Sequence, residues 1–136
     1  MNTVTRKDLP QLARILYLEC ERVRAGGLQV SWSLEAAGVF LGAIWGDPTY
    51  HFEVRRTENQ IDAVCVVKLF RPFLPPHPLA IVELLWWGST KRNTASVWAA
   101  CKAWGKLQGA EYAQYALAQP QVNAKKFVET YQWIRL

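Results

Sequence analysis

Glu83 is the one charged residue in the apolar run "AIVELLWW". A carboxylate held among apolar side chains loses hydration, its pKa rises, and it becomes a usable base near neutral pH. The alternative is a Glu paired with Arg71 or Lys68 on a neighbouring strand. The run ends in Trp86 and Trp87, and the turn "GSTKRNTAS" follows before a helix of small residues. Ser89, Lys91, Arg92, Asn93, Thr94, Ala95 and Ser96 gather hydroxyls, an amide and two positive charges there. Strand, turn and helix N-terminus together form a layout that holds phosphate. Phosphate loops commonly use glycines for close backbone approach, and after Gly88 this turn has none. The turn therefore reads either as a phosphate seat served by side chains or as a polar connection with an ordinary N-cap.

Other chemistries find little support. His51 and His77 lack the companion ligands of a zinc site and any Ser-His-Asp order, so both read as structural or surface residues. Cys20, Cys65 and Cys101 have no paired spacing and sit among apolar residues, as reduced core thiols do. With no secretory h-region in "MNTVTRKDLP", the expected location is the cytoplasm. No apolar run reaches the ~20 residues of a membrane helix. The net charge of +5 is compatible with an anionic partner, but the basic residues are scattered and no nucleic-acid motif appears. With 51% hydrophobic residues, the 136-residue chain reads as one domain, residues 1–136, with a real core. Seven tryptophans should be buried or at an interface, which is compatible with a homodimer.

The elements that would position these groups follow from periodicity. "TVT" reads as a short strand. Asp8 caps a first helix with Pro10 in its first turn and Leu9, Leu12, Ile15, Leu16, Leu18 and Val23 at helical spacing. Gly26 and Gly27 close it, and Ser33 caps a second helix that ends at Gly46. The period then changes to two: "YHFEVRR", the turn "TENQ" and "IDAVCVVKLF" form a hairpin. "RPFLPPHP" reads as a rigid extended loop and "LAIVELLWW" as a strand covered on both faces. Residues 94–108 read as a helix capped by Asn93 or Thr94, with Gly109 after it. "EYAQYALA" is a strand stopped by Pro120, Asn123 caps a last helix "AKKFVETY", and "QWIRL" is a final strand. The order β-α-α-β-β-β-α-β-α-β predicts an α/β (α+β) fold, a mixed and mainly antiparallel sheet with helices on both faces.

That order, over essentially the whole chain, resembles the GCN5-related N-acetyltransferase (GNAT) superfamily. "RKDLPQLARIL" is similar to the family's opening helix. "IVELLWW", the basic turn and "WAACKAWGKLQGAEYAQYAL" are similar to its fourth strand, acyl-CoA loop, third helix and fifth strand, and "NAKKFVETYQWIRL" to its last helix and strand. The paired tryptophans are also similar to those of phage-encoded members. The resemblance implies that two strands splay and take the pantetheine arm of acetyl-CoA between them. The pyrophosphate would sit on backbone N–H groups of the turn, with Leu85, Trp86, Trp87, the turn residues named above and Asn123 forming the cofactor site. It implies Glu83 as the base that removes the amine proton.

Two departures weaken the match. The family's loop motif is Arg or Gln, two residues, Gly, one residue, then Gly or Ala. One overlay places Thr90, Arg92 and Thr94 near its glycines, and the other puts Thr94 and Ser96 at the small positions. The family's general acid, a Tyr in the last helix, falls at Val128; Tyr131 lies almost one turn further on and is the catalytic candidate there only if the helix is rotated, the alternative being a core or surface aromatic. Two expectations result: an acyl-CoA-binding protein that moves acetyl from acetyl-CoA to an unknown amine, or a degenerate GNAT-fold protein, such as a phage-encoded one, that binds and modulates a host protein. "FRPFLPPHPL", with Trp32 and Trp45, is expected either to line an acceptor site or to pack as structure.

Overall fold

The computed structural model describes residues 3–25, 33–72, 78–120 and 127–136, with 23–25, 116–120 and 127–131 described by backbone alone. Thr3 to Thr5 form no strand, unlike the expectation from "TVT". Thr5 instead caps a single 3-10 turn, Arg6–Asp8. Its backbone N–H donates to Asp8 Oδ2 at 2.8 Å, and Arg56 clamps the same carboxylate at 2.8 and 3.1 Å. The turn runs directly into helix α1, Leu9–Ala25. Leu12, Ala13, Ile15 and Leu16 make the buried stripe of α1, while Leu18 is exposed. Helix α2, Leu34–Ile44, begins as its sequence requires, with Ser33 Oγ accepting from Ala36 N at 3.0 Å.

Strands β1, Tyr50–Thr57, and β2, Gln60–Phe70, form the expected hairpin. Strand β3, Ala80–Gly88, pairs antiparallel with β2. Helix α3, Lys91–Leu107, crosses back over the sheet, and β4, Tyr112–Pro120, runs parallel to β3. Strand β5, Phe127–Arg135, closes a sheet of order β1-β2-β3-β4-β5. The stretch from Phe127 to Tyr131 is therefore strand and not the last helix expected there. Its β-branched and aromatic residues pair with β4 from Pro120↔Phe127 to Tyr112↔Arg135, and that pairing outweighs the local helical pattern. Asn123, Trp32, His77 and the segment 73–77 of the Pro-rich loop lie outside the described residues.

Strand β2 has no solvent face over its centre. Val64 and Val66 pack with Leu12, Leu16, Ala37 and Leu41 of α1 and α2. Ala63, Cys65 and Val67 pack with Val97, Trp98 and Cys101 of α3. All five are at most 1% exposed, so the helices cover both faces. Alternation with period two serves two cores at once.

Strand β3 carries an irregularity that decides the site. Val66 faces Leu85 but Val67 faces Glu83, which leaves Leu84 as the extra residue of a β-bulge. Leu84 and Leu85 consequently both pack on the α1/α2 side, and Trp86 returns to the α3 side. A bulge bends its strand. Pairing between β3 and β4 covers only Ala80↔Tyr112, Ile81↔Ala113 and Val82↔Gln114, although β3 continues to Gly88 and β4 to Pro120. The two strands fork immediately after Val82 and Gln114.

Candidate functional site

At the open end of the fork lies the turn into α3. The helix begins at Lys91, three residues earlier than its sequence pattern indicates, and its cap is Thr90 instead of Asn93 or Thr94. Thr90 Oγ1 accepts from Asn93 N at 3.1 Å, while Thr90 O accepts both Thr94 N at 3.0 Å and Thr94 Oγ1 at 2.6 Å. Such a cap contributes about 1 kcal/mol. Ser89 N donates to Asp62 O at 2.8 Å, which anchors the turn to the β1–β2 hairpin. The backbone N–H groups of Thr90, Lys91 and Arg92 find no acceptor among the described residues. Three consecutive donors therefore face outward at a helix N-terminus, where the helix dipole is positive and two cationic side chains stand.

The turn also meets the need for small residues by a different route. Gly88 lies against the first turn of α3. A Cβ there would fall on Thr94 Oγ1 and lie 2.9 Å from Thr94 N and 3.0 Å from its Cα. Glycine is thus required at the strand end, one residue before the loop. Trp86 Nε1 donates to Thr94 O at 2.8 Å and pins the turn from beneath. An open cavity of about 370 Å³ lies among Trp86, Gly88, Thr90, Lys91, Thr94 and Ala95.

The expected site residues divide by face. Trp86, Ser89, Lys91, Thr94 and Ala95 line this cavity. Arg92 is exposed and Asn93 half-buried in the same first turn. Leu85 and Trp87 point to the α1/α2 core. Ser96 faces the sheet, its Oγ accepting from Arg55 Nε at 2.8 Å. Glu83 is half-buried at the first β3 position past the fork, opposite Val67 and so on the α3 side. Lys68, next to Val67, projects to the other face and lies over the Tyr50 ring at 5.3 Å, so Glu83 and Lys68 are on opposite sides of the sheet. Tyr131 stands on β5, paired with Ala116.

The sequence did not single out Gly88 as a contact or Thr90 as the cap. The spacing of Thr90 to Asn93, oxygen to the third following N–H, is the signal that finds the cap. Aromatic side chains gather on the α3 side of the fork: the Trp86 and Trp98 rings stack with centroids 5.1 Å apart, and Tyr115 of β4 meets them edge-on at 5.8 and 5.7 Å. His51, read as structural, is stacked on Trp104 at 4.6 Å and bonded to Glu53 at 2.8 Å. Trp45 lies under the Arg6 guanidinium at 5.3 Å. Among the described residues no group of His, Cys, Asp and Glu could hold a metal, and no helix is long and apolar enough to cross a membrane.

Known structures share this fold. No family model and no curated protein matches the sequence. An acetyltransferase from Thermus thermophilus superposes with a TM-score of 0.61 at 18% identity, over 99% of this chain and 95% of that one. A predicted acetyltransferase from Clostridium acetobutylicum, solved with acetyl-CoA, gives 0.64 at 10% identity over 84% and 77%. The PaiA N-acetyltransferase from Thermoplasma acidophilum, in complex with coenzyme A, gives 0.59 at 12% identity over 85% and 77%. The chain has the fold of the GNAT acetyltransferases.

Proposed function

We propose that this chain binds acyl-CoA in the fork between β3 and β4 and transfers the acyl group to an amine. The observation that carries the reading is the end of the β3–β4 ladder at Val82↔Gln114, with both strands running on. From Glu83 to Gly88, β3 rises ~17 Å at ~3.3 Å per residue. The arm between pyrophosphate and sulfur is about 13 bonds, ~15 Å at the ~3.5 Å per three bonds of an extended chain. The fork is therefore long enough to hold that arm, with the outward N–H groups of Thr90, Lys91 and Arg92 at one end and Glu83 at the other.

In this reading those N–H groups and the charges of Lys91 and Arg92 hold the pyrophosphate, and Trp86 lines the arm. When bound, acyl-CoA supplies an activated thioester carbonyl. Glu83, at the apex, accepts the proton that the attacking amine loses. Among the described residues the β4-facing edge of β3 from Leu84 onward has no ladder partner, and its backbone groups can meet amides of a ligand.

Melting the protein with increasing acetyl-CoA tests the reading. Ligand at 100 times its Kd adds ~2.7 kcal/mol of stability, and Arg92→Ala should remove most of that gain at equal ligand. Absence of any shift at millimolar acetyl-CoA overturns the proposal and leaves a GNAT-fold protein with another role.

A further inference from the structure

We infer that Tyr115 is the proton donor to the departing sulfur, a role for which the sequence offered Tyr131 only as a substitute. The inference rests on the acyl-CoA reading of the fork and assigns a residue of that same site. Tyr115 is the first β4 residue beyond the last paired position, Gln114, so it occupies the apex of the fork across from Glu83. Its ring stands on the α3 side, edge-on to the stacked Trp86 and Trp98 rings at 5.8 and 5.7 Å. Trp86 belongs to β3, so this contact spans the gap between the diverging strands. The side chain is half-buried, and its hydroxyl makes no hydrogen bond among the described residues. A phenol held by its ring in an aromatic wall, with its hydroxyl uncommitted, is a donor awaiting an acceptor.

The chemistry at the apex needs such a donor. As the carbon–nitrogen bond forms and the carbon–sulfur bond breaks, the sulfur takes the electron pair and requires a proton. The Tyr115 hydroxyl gives that proton, and the proton lost by the amine to Glu83 passes through solvent to restore the phenol. Protons balance: one leaves nitrogen and one arrives on sulfur. Tyr131 follows a different path, since the segment expected to present it as a helix is strand β5.

Free CoA tests this without knowledge of the amine. The ionisation of the bound thiol is followed by ultraviolet difference spectra between the CoA and desulfo-CoA complexes, so that the protein's own tyrosines and cysteines cancel. A hydrogen bond from Tyr115 to the thiolate should make the bound thiol roughly tenfold more acidic than free CoA, the effect of one charge-assisted hydrogen bond. Tyr115→Phe keeps the ring and its packing, and should return the thiol to its free value with Kd for desulfo-CoA unchanged. Equal ionisation in wild type and Tyr115→Phe overturns the inference, as does a shift that Tyr131→Phe removes and Tyr115→Phe does not. Failure of desulfo-CoA to bind at all is a different result: it removes the fork as an acyl-CoA site, and the assignment of Tyr115 with it.

Discussion

The indole N–H of Trp86 donates to the carbonyl of Thr94 at 2.8 Å, across the gap between the end of β3 and the first turn of α3. This bond, with Ser89 N on Asp62 O, fixes where the helix N-terminus sits relative to the fork. It exists only because the bulge at Leu84 returns Trp86 to the α3 side.

Trp86→Phe removes that bond and retains most of the ring. The expected loss is about 1 kcal/mol, the net value of one neutral hydrogen bond. Urea unfolding measures it, and acetyl-CoA affinity should fall with it because the turn is no longer pinned. An unchanged midpoint and unchanged affinity would show that the Thr90 cap and the Ser89–Asp62 bond hold the turn without Trp86.

Gly88→Ala should cost more than its one methyl group implies. The added Cβ meets Thr94 at its hydroxyl, its N and its Cα, and two of those atoms are backbone. Overpacking of this kind costs roughly 1–3 kcal/mol. Adding Thr94→Ala relieves the hydroxyl contact only, so the double variant should recover part of the loss in a melting experiment. Full recovery would mean that the backbone contact is easily relaxed.

Stability should fall in acid through Asp8. The Arg56 side-chain hydrogen bonds, with help from the Thr5 N–H, hold its carboxyl below the usual range against the opposing effect of burial. A lowered folded pKa means stability that is present above the unfolded value of 3.8 and is lost as pH falls through the folded one. Asp8→Asn should flatten this acid limb and cost roughly 2–3 kcal/mol at neutral pH, between the values for surface and buried pairs. Chemical unfolding from about pH 2 to 7, the span over which carboxylates titrate, reads both effects.

Alkylation should separate the thiols. Cys65 is buried beside Cys101, and burial first, then its contact with Cys101 and the charges of Glu83 and Glu53, push its thiol well up. Cys20 is half-buried, with its thiol raised by burial and by Glu19 and Glu21. At about pH 8, near the ordinary thiol range, iodoacetamide should label Cys20 slowly and Cys65 and Cys101 only on unfolding, as peptide mass mapping would show. Labelling of Cys65 in the folded protein would mean that α3 lifts from the sheet.

Much of this architecture is written in local pattern. Ser33 as a cap and the hairpin around Glu58 follow from spacing and periodicity, whereas the covering on both faces, expected of "LAIVELLWW", is most complete at "AVCVV" of β2. The faces of "ELLWW" are not legible in that way. Simple alternation would send Glu83, Leu85 and Trp87 to one side, and the bulged Leu84 breaks the series. A bulge is settled by partner strands and not by its own residues.

The terminal segment shows a second limit. "AKKFVETY" has a helical pattern, yet Phe127 to Tyr131 are strand because β4 offers a complete ladder beside them. The start of α3 is hidden for a local reason: Lys91, Arg92 and Asn93 look like loop, but they continue a helix once Thr90 has supplied the cap. Tyr115 carried no signal at all, since its place depends on where pairing stops.

The double burial of β2 has a consequence for how the molecule comes apart. Each helical layer leans on alternate side chains of the same ribbon, so neither layer can detach without stripping one side of Val64 to Val67 bare. Loss of one therefore removes the footing of the other, and melting should be a single concerted event. Amide hydrogen exchange should be slowest along this ribbon, where only global opening admits water.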